Sequence, residues 1–570
     1  MTHADDTACL NLRWAAALLH GLVEAQVAEL VFSPGARSTP LVLAAAREPG
    51  LRLHPVVDER GAAFLALGLA RAGGRPVALV CTSGSAPAHW HPAVIEAHEW
   101  GVPLVLLSAD RPPALVDWGA NQTTRQTTLF EGHLRARFDP GLPTPEGLKT
   151  LRALGRRAAA TARWPAPGPV HLNLPFAEPL VPEPDCRPEP PEASTPAVAP
   201  APCPPGAEAL AAARKRLQQG RGLILAGPDD RAPDAACLAR LARRLDAPVL
   251  ADPLSGLRFG APEDLPLVTR YDALLHNPGL ARRLRPDWVL RLGRAPVSRR
   301  LQEWLAGVPA VLLDPHRRWR DPKQDAELVL AADPGLFCAA LAGPEEQPPG
   351  PHIDAWLHAE ARAQALAAPW LERPTFEGAL VATLLRALPA GAALLLGNSL
   401  PVRQVDTWSG RLPQPLRPFG NRGVSGIDGQ LATLAGIAAA APHAFGLIGD
   451  LALLHDLNGL ALLRGKPATL VVVNNGGGRI FDYLPQRRLP ELERCWHTPP
   501  ALSMDHAAAA FGLPHRRIAD QAELREALAL PPDQARLLEL VVDPEAGRRG
   551  TMAYWQAVAE DPEIAQGNPT

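Results

Sequence analysis

Two stretches of the chain, residues 77–110 and 445–475, pass through the same order of features. A short apolar run ends in polar residues and a helical pattern follows. A Pro then precedes a second apolar run, which again ends in polar residues. Short runs joined by a helix of this length fit parallel neighbours of one sheet, because a parallel pair needs a long crossover. In the later stretch, residues 445–448 end in Gly449-Asp450, and Leu and Ala recur at helical spacing over 451–463. Gly465 and Pro467 stop that helix, and the β-branched run 470–473 ends in Asn474-Asn475-Gly476-Gly477-Gly478. The likeness of the two stretches predicts one fold used twice.

Parallel sheets carry ligands at the carboxyl ends of their strands. Asp450 and Asn475 occupy two such ends. A carboxylate, an amide oxygen and free backbone carbonyls form a hard oxygen set suited to Mg²⁺ shared with a phosphate. The helix beginning near Leu451 directs its positive end to the same place, and the glycines after Asn475 let backbone approach a ligand. Taken singly, Gly-Asp is more often a turn and helix cap, and Asn-Asn-Gly more often a loop. The pairing across one helix and one strand is what favours a site.

A chain of 570 residues holds two to four domains. Before about residue 176, apolar runs at 29–33, 77–81, 104–108 and 170–174 alternate with helical patterns at 60–72 and 92–100. Runs at 222–226, 249–251, 288–292 and 310–314 mark a second α/β region. Pro-rich tracts separate the regions; the 64 prolines are about twice the usual share. The expected division is a first domain at 1–180, a linker at 181–206, a middle domain at 207–342, a short linker at 343–352 and a last domain at 353–570 with a frayed end. The fold expected is three doubly wound α/β domains with mostly parallel sheets. A net charge of −2 without charged blocks argues against nucleic acid and against a polybasic membrane surface. No apolar run reaches the roughly 18 residues of a membrane helix, and the polar start before Leu10 predicts no secretory leader. Seven scattered cysteines without a Cys-x-x-Cys predict reduced, buried thiols in the cytoplasm.

Other constellations have both a structural and a functional reading. Asp58 or Glu59 suits the first turn of a helix. Ser38 or Thr39, within Ser33-Pro34-Gly35-Ala36-Arg37-Ser38-Thr39-Pro40, suits a cap, whereas Arg37 beside backbone N–H groups suits a carboxylate. Arg111 follows another strand, with Asn121 and Gln122 shortly after. Asn398, Ser399 and Arg403 follow the run 392–396. The Gly-rich turn 421–429, with Arg422, Gly426 and Ile427, cradles a diphosphate or merely caps a helix. Arg299 and Arg300 read equally as a solvated basic face.

Gly449-Asp450 followed by Asn474-Asn475 resembles the cofactor motif of the thiamine diphosphate enzymes. Ser-Pro-Gly-x-Arg-Ser-Thr-Pro, Asp-Glu-Arg-Gly, Ala-Asp-Arg-Pro-Pro, Gly-Asn-Ser-Leu, Asn-Arg-Gly-x-Ser-Gly-Ile-Asp-Gly, Gly-Asp-Leu and Val-Asn-Asn-x-Gly-Gly follow in order over nearly the full length. The set is similar to the menaquinone-pathway carboligase branch of that family, whose own form of the metal motif has Leu, here Leu451, after Gly-Asp. The resemblance implies thiamine diphosphate with Mg²⁺, or Mn²⁺, held by Asp450, Asn475 and the Gly477 carbonyl. It implies Gly449, Leu451, Asn398, Ser399, Gly426, Ile427 and Ile480 around the cofactor, with Ile427 under its bend. Glu59 matches the glutamate that hydrogen-bonds the aminopyrimidine and promotes loss of the thiazolium C2 proton. That chemistry needs a dry pocket. The implied reaction is decarboxylation of 2-oxoglutarate and addition of the succinyl-semialdehyde carbanion to isochorismate. Both substrates are dicarboxylates, which suits Arg over Lys. The implied substrate residues are Arg37, Arg111, Arg299, Arg300, Arg403 and Arg422, with Asn121, Gln122, Ser399 and Phe481. Arg37, Arg403 and Ser399 are also implied at the reacting centre. Two departures stand out: Ala36 where the branch often has Ser, and Arg299 where Lys occurs. The family's architecture implies that Glu59 and Asp450 meet one cofactor only across a subunit interface, hence a homodimer or homotetramer.

Two other readings compete. An acetolactate-synthase-like carboligase handles small apolar acceptors and has no need of so many Arg residues. A non-catalytic scaffold of this fold predicts decayed positions, yet Glu59, Asp450 and Asn475 are present.

Overall fold

The structure is a computed structural model and describes residues 3–187, 201–229, 233–345, 347–529 and 534–567. Residues 188–200 of the expected linker, residue 346 of the short linker and the chain end at 568–570 lie outside the described residues. Among the described residues, strands form three six-stranded sheets, and every strand pair is parallel.

The first sheet contains β1 (Glu29–Phe32), β2 (Arg52–Pro55), β3 (Val77–Cys81), β4 (Leu104–Asp110), β5 (Ala136–Phe138) and β6 (Val170–Pro175), in the order 2-1-3-4-6-5. Its inner strands β3, β4 and β6 are buried at every residue. This is why β3 and the first part of β4 read as unbroken apolar runs rather than alternating ones, whereas β6 alternates and pairs its buried His171 with Ser108 and its buried Asn173 with Asp110. The edges, β2 and β5, carry Arg52 and Arg137 outward. Charge at an edge blocks pairing with another sheet.

The second sheet contains β7 (Gly222–Ala226), β8 (Val249–Ala251), β9 (Leu267–Val268), β10 (Trp288–Leu292), β11 (Ala310–Leu313) and β12 (Ala326–Leu330), in the order 12-11-10-7-8-9. The third contains β13 (Ala393–Leu396), β14 (Arg417–Phe419), β15 (Ala444–Gly449), β16 (Ala468–Asn474), β17 (His515–Ile518) and β18 (Arg536–Val541), in the order 14-13-15-16-18-17. First and third sheets share the order 2-1-3-4-6-5 when each is numbered from its own start, so β13 lies between β14 and β15 as β1 lies between β2 and β3.

Two compact units result. One comprises Met1–Ala201, Asn421–Pro442 and His455–Lys466; the other comprises Pro202–Gly420, His443–Leu454 and Pro467–Thr570. In the first unit, helix Glu59–Gly73 is buried at each residue from Gly61 to Ala72. A helix buried on all sides needs cover opposite its sheet, and helix Gln430–Ala440 supplies it. A Cβ on Gly68 would lie 2.1 Å from the Thr433 carbonyl oxygen, and one on Gly436 would lie 2.1 Å from that of Leu65. The two glycines thus allow the helix backbones to touch.

Three expectations are corrected. The single helix at 451–463 is two, Asp450–His455 and Gly459–Leu463. The break falls at Asp456, whose buried carboxylate accepts from the Leu431 and Ala432 amides at 2.9 and 3.1 Å and pairs with Arg60 at 3.2 Å. Free N–H groups at the start of helix Gln430–Ala440 explain the attraction. Pro351, read as linker, begins helix Pro351–Leu371, where a missing N–H costs nothing. The cysteines are not all reduced and buried. Cys9 and Cys186 form a disulfide with a Cα–Cα distance of 5.8 Å, and Cys203 and Cys495 are exposed. The partners are 177 residues apart, so spacing gave no cue. They meet because the chain after β6 returns over helix His3–Glu24, where the Asn11 amide donates to the Ala177 and Pro179 carbonyls. No helix among the described residues is long and apolar enough to cross a membrane.

Candidate active site

In the second unit the carboxyl ends of β15 and β16 lie side by side, with Gly449 in register with Val473. Asp450 and Asn475 therefore leave adjacent strands. Asp450 is 1 % exposed. Its Oδ1 accepts from its neighbour's amide, Leu451, at 2.7 Å, and its Oδ2 from the Gly477 amide at 2.8 Å. Burial raises the Asp450 pKa, against the pull of the Gly477 and Leu451 amides. A cation at this place would reverse that balance. Asn475 is also buried, and its Oδ1 has no hydrogen-bond partner. An orphaned buried acceptor costs about 1–3 kcal/mol, which a metal contact would relieve. Gly477 has φ +112°, and a Cβ there would lie 2.0 Å from the His497 carbonyl oxygen. Only Gly fits. One carboxylate and one amide oxygen do not satisfy a divalent ion, so the set fits a cation that shares its shell with phosphate oxygens or water.

The turn is braced by side chains that sequence reading missed. Arg479 Nε donates to the Asn475 carbonyl at 3.1 Å and its Nη1 lies 3.1 Å from His497 Nδ1. His497 Nε2 lies 2.8 Å from Asp482 Oδ1. These residues lie in short 3₁₀ and π turns with no period to reveal them. Glu377, also missed, opens helix Glu377–Ala387; burial chiefly, with the Asp450 charge adding, pushes it up to about 7, while a Gln404 hydrogen bond opposes the rise.

A cavity of about 410 Å³ in the same unit brings together Arg300, Arg403 and Ile480, with Gln404, Tyr483 and Trp555. Ser399 precedes helix Leu400–Trp408 with φ +70° and ψ −126°, a strained conformation for a residue with a side chain. Arg403 Nη1 donates to the Ser399 carbonyl at 2.6 Å. Asn398 is buried beside it, and Phe481 follows Ile480 in the same turn, half-buried. On the buried face of that helix, Asp406 accepts from Arg258 and Tyr271, each at 2.7 Å. A fully buried charge needs such pairing. Arg299 lines the rim of the cavity but is largely exposed and paired with Glu303. Gly449 and Leu451, flanking Asp450, are half-buried.

The first unit holds the remaining candidates. Arg37 is 4 % exposed and donates to the Phe176 carbonyl at 2.8 Å and to Glu178 at 2.7 Å. Arg111 Nη1 lies 3.9 Å from the same carboxylate, and its Nε donates to the Asn121 carbonyl at 3.2 Å. The two guanidinium groups thus already converge on one carboxylate. Asn121 and Gln122 are exposed, and Gln122 Nε2 donates to the Ser83 carbonyl at 3.0 Å. Asp58 takes the capping role on helix Glu59–Gly73, accepting from the Arg60 amide. Glu59 stands at the first helical position, half-buried rather than dry. It lies near the end of β3, where burial and then the Glu59 charge push the Cys81 thiol up. Arg422, Gly426 and Ile427 lie half-buried on the 421–429 turn.

Residues 12–130 match the family model "Thiamine pyrophosphate enzyme, N-terminal TPP binding domain", and residues 207–396 match "Middle domain of thiamine pyrophosphate". The chain is 44 % identical to the 2-succinyl-5-enolpyruvyl-6-hydroxy-3-cyclohexene-1-carboxylate synthase of Dechloromonas aromatica (strain RCB), over 92 % of this chain and 96 % of that one. It is 41 % identical to the synthase of the same name from Geobacillus kaustophilus (strain HTA426), over 96 % and 98 %. Benzoylformate decarboxylase from Polynucleobacter necessarius superposes with a TM-score of 0.69 at 17 % identity, over 93 % of this chain and 98 % of that one. At that identity the likeness is one of fold.

Proposed function

Since the chain belongs to the 2-succinyl-5-enolpyruvyl-6-hydroxy-3-cyclohexene-1-carboxylate synthase family of thiamine diphosphate enzymes, we propose that it joins 2-oxoglutarate to isochorismate with loss of CO₂, using Mg²⁺ or Mn²⁺. It is a thiamine diphosphate-dependent transferase of menaquinone biosynthesis. The observation that carries the metal reading is the partnerless Asn475 oxygen beside the buried Asp450 carboxylate at adjacent strand ends.

Bound thiamine diphosphate would supply the electron sink for the electron pair left on the former carbonyl carbon when CO₂ departs from 2-oxoglutarate. The chain's own residues position and neutralise. In this reading Asp450, Asn475 and the Gly477 carbonyl hold the cation, with Gly449 and Leu451 beside them. Asn398, Ser399, Gly426, Ile427 and Ile480 hold the organic part of the cofactor. Glu59 presents its carboxyl group to the aminopyrimidine and moves a proton there. Arg37 and Arg111 take one carboxylate as they take Glu178, with Asn121 and Gln122 beside them. Arg300 and Arg403 take another, with Arg299, Ser399 and Phe481 beside them, and Arg422 is a further candidate for a substrate carboxylate. Guanidinium groups pair with carboxylates in two-bond geometry, and the dicarboxylate substrates need several such pairs.

The half-exposed Glu59 supports a homodimer or homotetramer in which a partner covers it and dries the pocket. The domain reading proposed with this is 1–180 for the aminopyrimidine, 207–342 as middle domain and 353–570 for the diphosphate and metal, with 181–206 and 343–352 between. The cytoplasm is the proposed compartment, on the five unpaired cysteines among the described residues. The test is the product formed from 2-oxoglutarate and isochorismate with cofactor and Mg²⁺. Preferred turnover of pyruvate without isochorismate would replace this reading with an acetolactate-synthase-like one.

A further inference from the structure

We propose that Glu96 is a positioning residue that fixes the 421–429 turn for ligand binding. This rests on the reading above that Arg422, Gly426 and Ile427 meet substrate and cofactor. Glu96 lies on helix His91–Trp100, is 2 % exposed, and reaches a segment 327 residues away. Its Oε1 accepts from the Gly423 amide at 2.7 Å and its Oε2 from the Val424 amide at 2.8 Å. Two successive N–H groups on one carboxylate make a small anion cradle, with the anion supplied by the protein. A Cβ on Gly423 would lie 2.8 Å from the Glu96 carbonyl oxygen, so the turn lies directly against the helix.

Elsewhere the turn is held at its two ends, by Asn421 Nδ2 donating to Thr433 Oγ1 at 3.0 Å and by Gln430 Nε2 donating to the Gly426 carbonyl at 3.2 Å. Val424 is 51 % exposed and Ser425 has φ +61°. It borders a cavity of about 260 Å³ lined by Phe64, His91, Glu96, Gly426 and Asp428. Arg422 directly precedes the first gripped amide, so the carboxylate sets where that guanidinium starts. A carboxamide has one acceptor and one donor end. In Glu96→Gln one of the two amides faces a donor, and the grip is halved.

The experiment uses the full chain with thiamine diphosphate and Mg²⁺. E96Q is expected to raise KM for the dicarboxylate substrates and the half-saturating cofactor concentration about tenfold, the scale of one charge-assisted hydrogen bond. The melting temperature without ligands should change little, and kcat less than KM. R422A should raise KM alone, and E96Q/R422A should add little to it, as expected for groups acting as one. G423A, which displaces the same turn by contact, should reproduce the E96Q pattern and serves if E96Q does not fold. Wild-type constants in E96Q or G423A, with R422A impaired, overturn the positioning role. Wild-type constants in R422A overturn the reading of the turn instead.

Discussion

Asp110 ends β4 with one oxygen accepting from the Arg111 amide at 2.8 Å and the other from Asn173 Nδ2 at 2.9 Å. Burial raises its pKa from 3.8 to about 6, although the Asn173 hydrogen bond opposes the rise. The folded chain therefore holds this proton more tightly than the unfolded chain. Its stabilising contribution is complete below about pH 4 and is lost as pH rises to about 6. Asp110→Asn should flatten the fall in denaturant midpoint across that window; an unchanged slope would assign the fall to other groups. Glu59→Gln should fold normally yet lower turnover by roughly 10²–10⁴-fold, the scale of a positioned proton-transfer group. A wild-type rate would remove Glu59 from the reaction. Asp450→Ala should weaken Mg²⁺ and thiamine diphosphate together in a calorimetric titration, since one carboxylate serves both; unchanged affinity for either would contradict the metal reading.

At the scale of elements, the reciprocal glycines make a sharp test. Gly68→Ala forces a methyl group into a carbonyl 2.1 Å away. Such overpacking typically costs about 1–3 kcal/mol, so thermal unfolding should start earlier, and Gly436→Ala should do the same. Neither glycine stands out in sequence, because the contact joins helices more than 360 positions apart. The strands were legible for a simple reason: β3, β4, β15 and β16 are buried along nearly their whole length and thus mostly apolar, with Ser108, Asp110, Thr469 and Asn474 the exceptions. Asp450 and Asn475 were legible because strand ends of parallel sheets are marked by a switch from apolar to polar. The broken helix at Asp456, the Cys9–Cys186 disulfide and the His497–Asp482 brace were not. Each depends on a partner brought near only by the folded chain, and Asp456 sits at a position that a helical period accepts without complaint. Glu96 was hidden for the same reason, as one more acid on a helix.

For the whole molecule, the reading predicts that thiamine diphosphate with Mg²⁺ raises the melting temperature, by mass action on the folded state alone. Omission of Mg²⁺ should abolish most of the rise. A chain that ignored both would be the non-catalytic scaffold. The first unit carries one more consequence. It needs Asn421–Pro442 and His455–Lys466 as well as the opening residues. Chains generally fold from the N-terminus as they are made, but here helix Glu59–Gly73 keeps a bare apolar flank until its cover is translated. The part of the protein that leaves the ribosome first is finished only after Lys466 has emerged, and the newborn chain has to be kept from clumping through that wait.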